Sequence, residues 1–426
     1  MRRLPVFVLV AGLVVGCGGG STEPISAGIT LAEAHVTRLP ATETDARSAG
    51  SAVNAFGLAL YAKARSGSGN IVASPASIAI ALSMARAGAA GTTAGEMDAV
   101  LHDLATDPHE RWIASLDQAL TGRSGSFQDN AGQTQQVTLR IVNAPFAQRG
   151  MALVPSYLDA LSARFDAGLR LVDYKAAPED ARSALNAWVA DQTEQRIKEL
   201  LAQGTIDRDS RLTLVNAIYL KAAWQHPFLK DSTTKAPFHA IGGTTLEVPT
   251  MGLGADLPYA EGTGWRTVEL PYIGGKLAMD VIIPDDLAAF ETTLDPATLD
   301  AITRALTTRH VILGMPKFST ASSLSLGDTL SAMGMPTAFT DKADFSGITT
   351  EEPLYISAVV HQANIDVDEN GTTAAAATAV AMAAAAMPID TITMQVDRPF
   401  LFALRDLDTG AVLFLGRITD PSAATS

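Results

Sequence analysis

The chain has 426 residues and a single cysteine, Cys17, so it carries neither a disulfide framework nor a cysteine-based metal site. Aromatic residues are few (6%) and charged residues make up only 18%, against 47% hydrophobic. That balance excludes an intrinsically disordered chain, which needs dense charge and little apolar content. Basic residues are the scarcer charge, 31 Lys+Arg against 45 Asp+Glu, for a formal net charge of −14. Without concentrated Lys/Arg there is no electrostatic footprint for phosphates, and no nucleic-acid partner is expected. Long apolar runs are missing as well. The one candidate, residues 4–15, falls short of the ~20 positions a bilayer-spanning helix needs. The seven histidines (His35, His102, His109, His226, His239, His310 and His361) include no H-E-x-x-H pair, and no metal or cofactor is expected. There is no P-loop and no dinucleotide fingerprint. Gly122-Arg123-Ser124-Gly125-Ser126 begins like a nucleophile elbow but ends in Ser rather than Gly. The acidic pairs Asp285-Asp286 and Glu351-Glu352 lie beside prolines and read as solvated turns. No residue pattern asks for an enzyme.

What is present begins with an address. Arg2 and Arg3 precede the apolar run and small residues follow it, the pattern of an export signal. Val14-Val15-Gly16-Cys17 resembles the lipobox of bacterial lipoproteins, in which the cysteine is acylated and becomes the mature first residue. Residues 1–17 are therefore expected to be a lipoprotein signal and lipobox, and 18–45, rich in Gly, Ser, Thr and Pro, a flexible tether. The folded domain is placed at 46–421, with 422–426 a short tail. An exported protein held by lipid at the cell envelope, facing periplasm or exterior, follows.

Within the domain the only soft stretch is 122–136, expected as a surface loop. Ser74-Pro75 predicts a helix start with Ser as cap and Pro in the first turn. Thr93 and Glu96 have capping-box spacing, and Pro178-Glu179-Asp180 opens a helix carrying Leu185, Trp188 and Val189. Residues 212–220 read as a strand buried on both faces. Segments 265–270 and 277–283 flank Pro271-Tyr272-Ile273-Gly274-Gly275 as a hairpin, and Asp408-Thr409-Gly410 joins the last two strands. Helices early and strands late predict an α+β fold.

One segment is unusual. After Glu369-Asn370 run Gly371-Thr372-Thr373-Ala374-Ala375-Ala376-Ala377-Thr378-Ala379-Val380-Ala381-Met382, and no charge appears until Asp390. Alanine has the best helix propensity, so a helix or a low-complexity linker is the simple expectation. A lone helix would lack any polar face, however, and strand-like sequence brackets the tract. As a strand, both faces would be small or apolar, fit to enter a sheet without burying a charge.

With these residues in view the chain resembles the serpins, the serine protease inhibitors, over about residues 47–421. Val367-Asp368-Glu369-Asn370-Gly371-Thr372-Thr373 is similar to the family's hinge, and Val396-Asp397-Arg398-Pro399-Phe400-Leu401-Phe402 to its C-terminal signature. Asn70-Ile71-Val72-Ala73-Ser74-Pro75 and Leu214-Val215-Asn216-Ala217-Ile218-Tyr219-Leu220-Lys221 match two further segments in order. The resemblance implies the serpin fold, α+β with three β-sheets, about nine helices and an exposed reactive-centre loop over about 369–395. It implies a suicide substrate rather than an enzyme: a serine endopeptidase cleaves the loop, and insertion of the loop into the central sheet traps the covalent acyl complex. By position Gly371 is the pivot and Thr372 the first residue to insert, followed by Ala374, Ala376 and Thr378. Glu369 would pair with Lys317 where the sheet opens (the breach), above Trp224. Ser74, Ser77, Asn216 and His361 would form the polar shutter beneath the sheet. The scissile bond falls at Ala385-Ala386, which suits elastase-like or subtilisin-like targets, and a monomer is expected. The alternatives are a non-inhibitory serpin, or a structural surface lipoprotein whose alanine tract is a spacer.

Overall fold

The computed structural model describes residues 28–65, 67–106, 109–129, 132–372 and 390–423. Strands β1 (Thr30–Ala32), β2 (Ile71–Ala73), β3 (Gly125–Gln128), β4 (Thr134–Gln148) and β5 (Leu169–Val172) interleave with the early helices. Those helices are α1 (Glu43–Ala64), α2 (Pro75–Arg86), α3 (Gly91–Val100), α4 (Glu110–Thr121) and α5 (Pro155–Phe165). Helix α6 (Pro178–Gln192) leads to β6 (Leu212–Ala223), β7 (Leu229–His239), β8 (Thr245–Gly262), β9 (Trp265–Pro271) and β10 (Leu277–Pro284). Then come α7 (Leu287–Thr293), α8 (Pro296–Ala305), β11 (Thr307–Pro316), β12 (Phe318–Ser325) and α9 (Gly327–Met333). The chain closes with β13 (Ile356–Asp368), β14 (Gly371–Thr372), β15 (Ile392–Gln395), β16 (Phe400–Asp406) and β17 (Val412–Ile418).

Pairing gathers the described strands into an eight-stranded sheet, ordered β1-β5-β4-β6-β14-β13-β12 with β3 on β4, and a nine-stranded one, β15-β11-β8-β9-β10-β16-β17-β2 with β7 on β8. The expected third sheet is the group of β7, β11 and β15 around β8. It is continuous with the rest because β8 changes partner at Tyr259, from Thr307 on β11 to Val268 on β9. In the first sheet β6 and β13 run parallel, from Ile356↔Leu212 to Ala363↔Ile218, whereas β14 is antiparallel to both. A parallel pair cannot come from a hairpin, and it leaves a seam that one antiparallel strand could fill.

Local chemistry explains the helices beside this seam. Ser74 caps α2 by accepting from the Ser77 amide, Pro75 occupies the first turn, and α2 is buried from Pro75 to Ala85 as the central helix behind the sheet. On the opposite face α6 packs on β4, beside the seam. Its Leu185, Trp188 and Val189 bury against Val142, Phe146, Val215 and Ala217, and against Val360 of β13. The Trp188 and Phe146 rings meet edge to face at 5.4 Å.

Four expectations change. Thr30–Ala32 is a strand paired with β5, and helix α1 begins at Glu43, so the 18–45 stretch is not tether throughout and the ordered domain begins before residue 46. Ile29, buried among Val172, Tyr174 and Leu185, supplies the apolar anchor. Residues 122–136 are not a plain loop, because β3 pairs with β4 as a hairpin. Thr93 and Glu96 do not cap α3: they lie inside it, taking the backbone amides of Asp344 and Thr337. Strands are also not confined to the second half. Cys17, residues 1–27 and the 424–426 part of the expected tail lie outside the described residues.

Candidate functional site

The site is built at the head of the seam. Gly371 pairs with Ala223 of β6 and Asp368 of β13, and Thr372 pairs with Ala222 and Val367. Gly371 has φ +152, and a Cβ there would sit 2.1 Å from the Ala222 carbonyl oxygen, so only glycine fits between the strands. Thr372 is 1% exposed. It was expected to be the first residue to insert, and it is already inside the sheet. Its hydroxyl meets the Tyr272 hydroxyl at 2.5 Å, and burial raises the Tyr272 phenol above its ordinary range.

The turn before it is pinned on three sides. Glu369 accepts from Lys317 Nζ at 2.9 Å and from Thr233 Oγ1 at 2.7 Å. Burial alone would raise the Glu369 carboxyl, but these donors hold it below the ordinary carboxylate range. Trp224 stacks on Tyr272 with centroids 4.4 Å apart and donates its indole N–H to the Asp368 carbonyl at 3.0 Å. Trp224 is thus both packing and a hydrogen-bond latch on the hinge.

Below the hinge the seam crosses a buried polar cluster. His361 and Asn216 are register partners on β13 and β6. His361 Nε2 accepts the Ser74 amide at 3.0 Å, so the neutral ring carries its proton on Nδ1 and donates to Asn216 Oδ1. Asn216 Nδ2 donates to Ser77 Oγ at 2.7 Å and to Asn143 Oδ1 at 2.5 Å. Full burial pushes the His361 ring down to about 3, so it stays neutral across the physiological range. No acid, base or nucleophile is poised there, and among the described residues no cluster of His, Cys, Asp or Glu could hold a metal.

The structure therefore brings together Ser74, Ser77, Asn216 and His361, and separately Lys317, Glu369, Gly371, Thr372 and Trp224. Ala374, Ala376, Thr378, Ala385 and Ala386 lie outside the described residues. Sequence reasoning missed Asn143, Tyr272 and Thr233. Asn143 had a signal, a lone amide in the apolar stretch Ile141-Val142-Asn143-Ala144. Tyr272 was visible only as part of a turn.

A family profile described as "Serpin (serine protease inhibitor)" matches residues 51–421. The chain is similar to the leukocyte elastase inhibitor of Bos taurus, 36% identical over 364 residues covering 83% of this chain and 93% of that protein. An uncharacterised serpin-like protein of Thermococcus kodakarensis is 35% identical over 435 residues, 99% of each chain. Among solved structures, the thermophilic serpin tengpin in its native state superposes with a TM-score of 0.80 at 25% identity, covering 91% of this chain and 97% of that one.

Proposed function

The chain belongs to the serpin family, and on that premise we propose that it traps serine endopeptidases as a monomeric suicide substrate rather than acting as an enzyme. The protease's serine oxygen attacks the carbonyl of the scissile residue. The peptide bond breaks, the amine leaves with a proton, and an ester joins protease to loop. Insertion of the freed loop between β6 and β13 then carries the ester away before water hydrolyses it. Each inserted residue exchanges the parallel seam for two antiparallel ladders and buries small apolar side chains.

The observation that carries this reading is β14 itself. A two-residue strand sits antiparallel between β6 and β13 at the head of a seam still closed below. A strand prolonging β14 in that register would meet Asn216 and His361 with the same residue, Thr378. The small residues counted in the tract are those such a strand would bury.

For specificity, Ala385-Ala386 as the cut suits a shallow primary pocket. No basic residue lies between Gly371 and Arg398, and no aromatic between Tyr355 and Phe400. Elastase-like or subtilisin-like targets follow, and the similar bovine protein is named as an inhibitor of leukocyte elastase. Incubation with elastase, subtilisin and trypsin tests this. SDS-resistant complexes are expected with the first two, with cleavage mapped to 382–387. Cleavage without any complex, and without a gain in thermal stability of the nicked protein, would leave a non-inhibitory serpin.

We further propose that Cys17 is acylated and holds the protein at the cell envelope. Among the described residues no helix is long and apolar enough to cross a membrane. Fatty-acid labelling that is absent from the wild type would remove the anchor from this account.

A further inference from the structure

The foot of the seam is held by a different chemistry from its head. Strand pairing becomes irregular between Ile356 and Ala358, and there the Arg211 amide donates to the Ser357 hydroxyl at 2.9 Å instead of to a backbone carbonyl. Just beyond, the Glu352 carboxylate takes Lys175 Nζ at 2.9 Å and lies 3.6 Å from Arg211 Nε. Glu352 precedes β13, Arg211 immediately precedes β6, and Lys175 precedes α6. One carboxylate thus ties together the lead-ins of the two strands that must part and of α6, the helix packed beside them on the same sheet. Its neighbour Glu351 also has a partner, the Ala152 amide at 2.9 Å, so the pair read from sequence as solvated is a structural junction. Spreading β6 from β13 stretches Glu352–Arg211, and lifting α6 stretches Glu352–Lys175.

We propose that Glu352, with Lys175 and Arg211, is an ionic clasp that governs the last stage of strand insertion, and so the share of cleaved loop that traps protease rather than being released. Continuing the register of β14 brings the inserted strand to the level of Arg211 and Ile356 at Ala383, close to the proposed cut. The clasp must open while the acyl bond is still waiting to be hydrolysed. These three are positioning residues, since none touches the reacting atoms. The role in partitioning rests on the inhibitory reading; the effect on opening does not.

The test separates the two. A synthetic peptide with the sequence of residues 373–385, which begins just below the occupied Thr372 position, is annealed into the uncleaved protein, without protease, and followed by native-gel mobility. Glu352→Gln is expected to speed annealing about two- to five-fold at low salt, the range of a partly exposed ion pair. High salt should bring the wild type up to the mutant rate and leave the mutant unchanged, a response that general loosening would not give. Glu199→Gln, which removes an exposed partner of Arg182 elsewhere beside α6, should change nothing. If Glu352→Gln does not fold, Lys175→Gln at an exposed position carries the same expectation. Equal rates in wild type and variant at low salt overturn the clasp. Faster annealing in a protein that traps no protease keeps the clasp and sinks the inhibitory reading instead.

Discussion

Thr372 shows how much depends on one side chain. It is buried with its hydroxyl against Tyr272, so it is a sheet residue already in the uncleaved protein. Thr372→Arg would have to bury an unpaired guanidinium or withdraw β14 from the sheet, and withdrawal costs far less than burial. The expected result has two parts. Protection of the Ala222 and Trp224 amides, which face the hinge strand, from hydrogen exchange should drop before any cleavage, and protease should then cut the loop without being trapped. Thr372→Val is the control. It keeps the shape and buried methyl but leaves the Tyr272 hydroxyl unpaired, a loss of about 1–3 kcal/mol in which insertion still proceeds. Undiminished complex yield in Thr372→Arg would contradict insertion from this end. Gly371 sets the complementary limit, because any Cβ there meets the Ala222 carbonyl oxygen.

At the scale of elements, β1 is the part the sequence hid. Three residues pair with β5, Arg149 donates to the Gly28 carbonyl at 2.6 Å, and Ile29 fills a gap among Val172, Tyr174, Ala184 and Leu185. Ile29→Ala should lower the stability measured by urea unfolding by about 2 kcal/mol, as for other buried large-to-small changes. A true tether at this position would show no change. The contrast explains which elements could be read in advance. Ser74-Pro75, the 271–275 turn and Asp408-Thr409-Gly410 declare themselves because cap and turn chemistry is satisfied within a few residues. Residues 28–32, Thr93-Glu96 and Glu351-Glu352 are settled by partners far along the chain, which no local pattern names. The shutter was legible by resemblance alone, whereas the uncharged tract that opens at Gly371 stood out in the residues themselves. Nothing in the spacing of Ser74, Asn216 and His361 predicts that they meet; the parallel register of β6 and β13 brings Asn216 to His361, and the N-terminus of α2 brings the Ser74 amide to the ring.

At the scale of the whole molecule, two buried titrations pull stability in opposite directions with pH. Glu269 on β9 and Asp280 on β10 share Arg405 of β16, at 2.6 and 2.5 Å. Two carboxylates facing one guanidinium cannot both stay charged cheaply. Burial, then the Asp280 charge, pushes Glu269 up from 4.5 to about 7 against the pull of Arg405, and burial raises Asp280 as well. The folded state therefore holds a proton the unfolded chain has lost, and this group's contribution falls as pH rises from 4.5 to 7. His361 does the reverse. Its ring ionises at about 3 when folded and near 6.5 when unfolded, so stability is lost as pH falls through that interval. Where the two windows overlap, from 4.5 to 6.5, the slopes oppose, each at about 1.4 kcal/mol per pH unit. Relative to the wild type, Glu269→Gln should tilt the stability curve so that it rises with pH across the overlap. His361→Gln, an amide that can still accept and donate, should tilt it so that it falls. Urea unfolding at several pH values measures both. Parallel curves for wild type and Glu269→Gln would mean that the β9–β10 pair is fully ionised in the fold, with Arg405 outweighing burial.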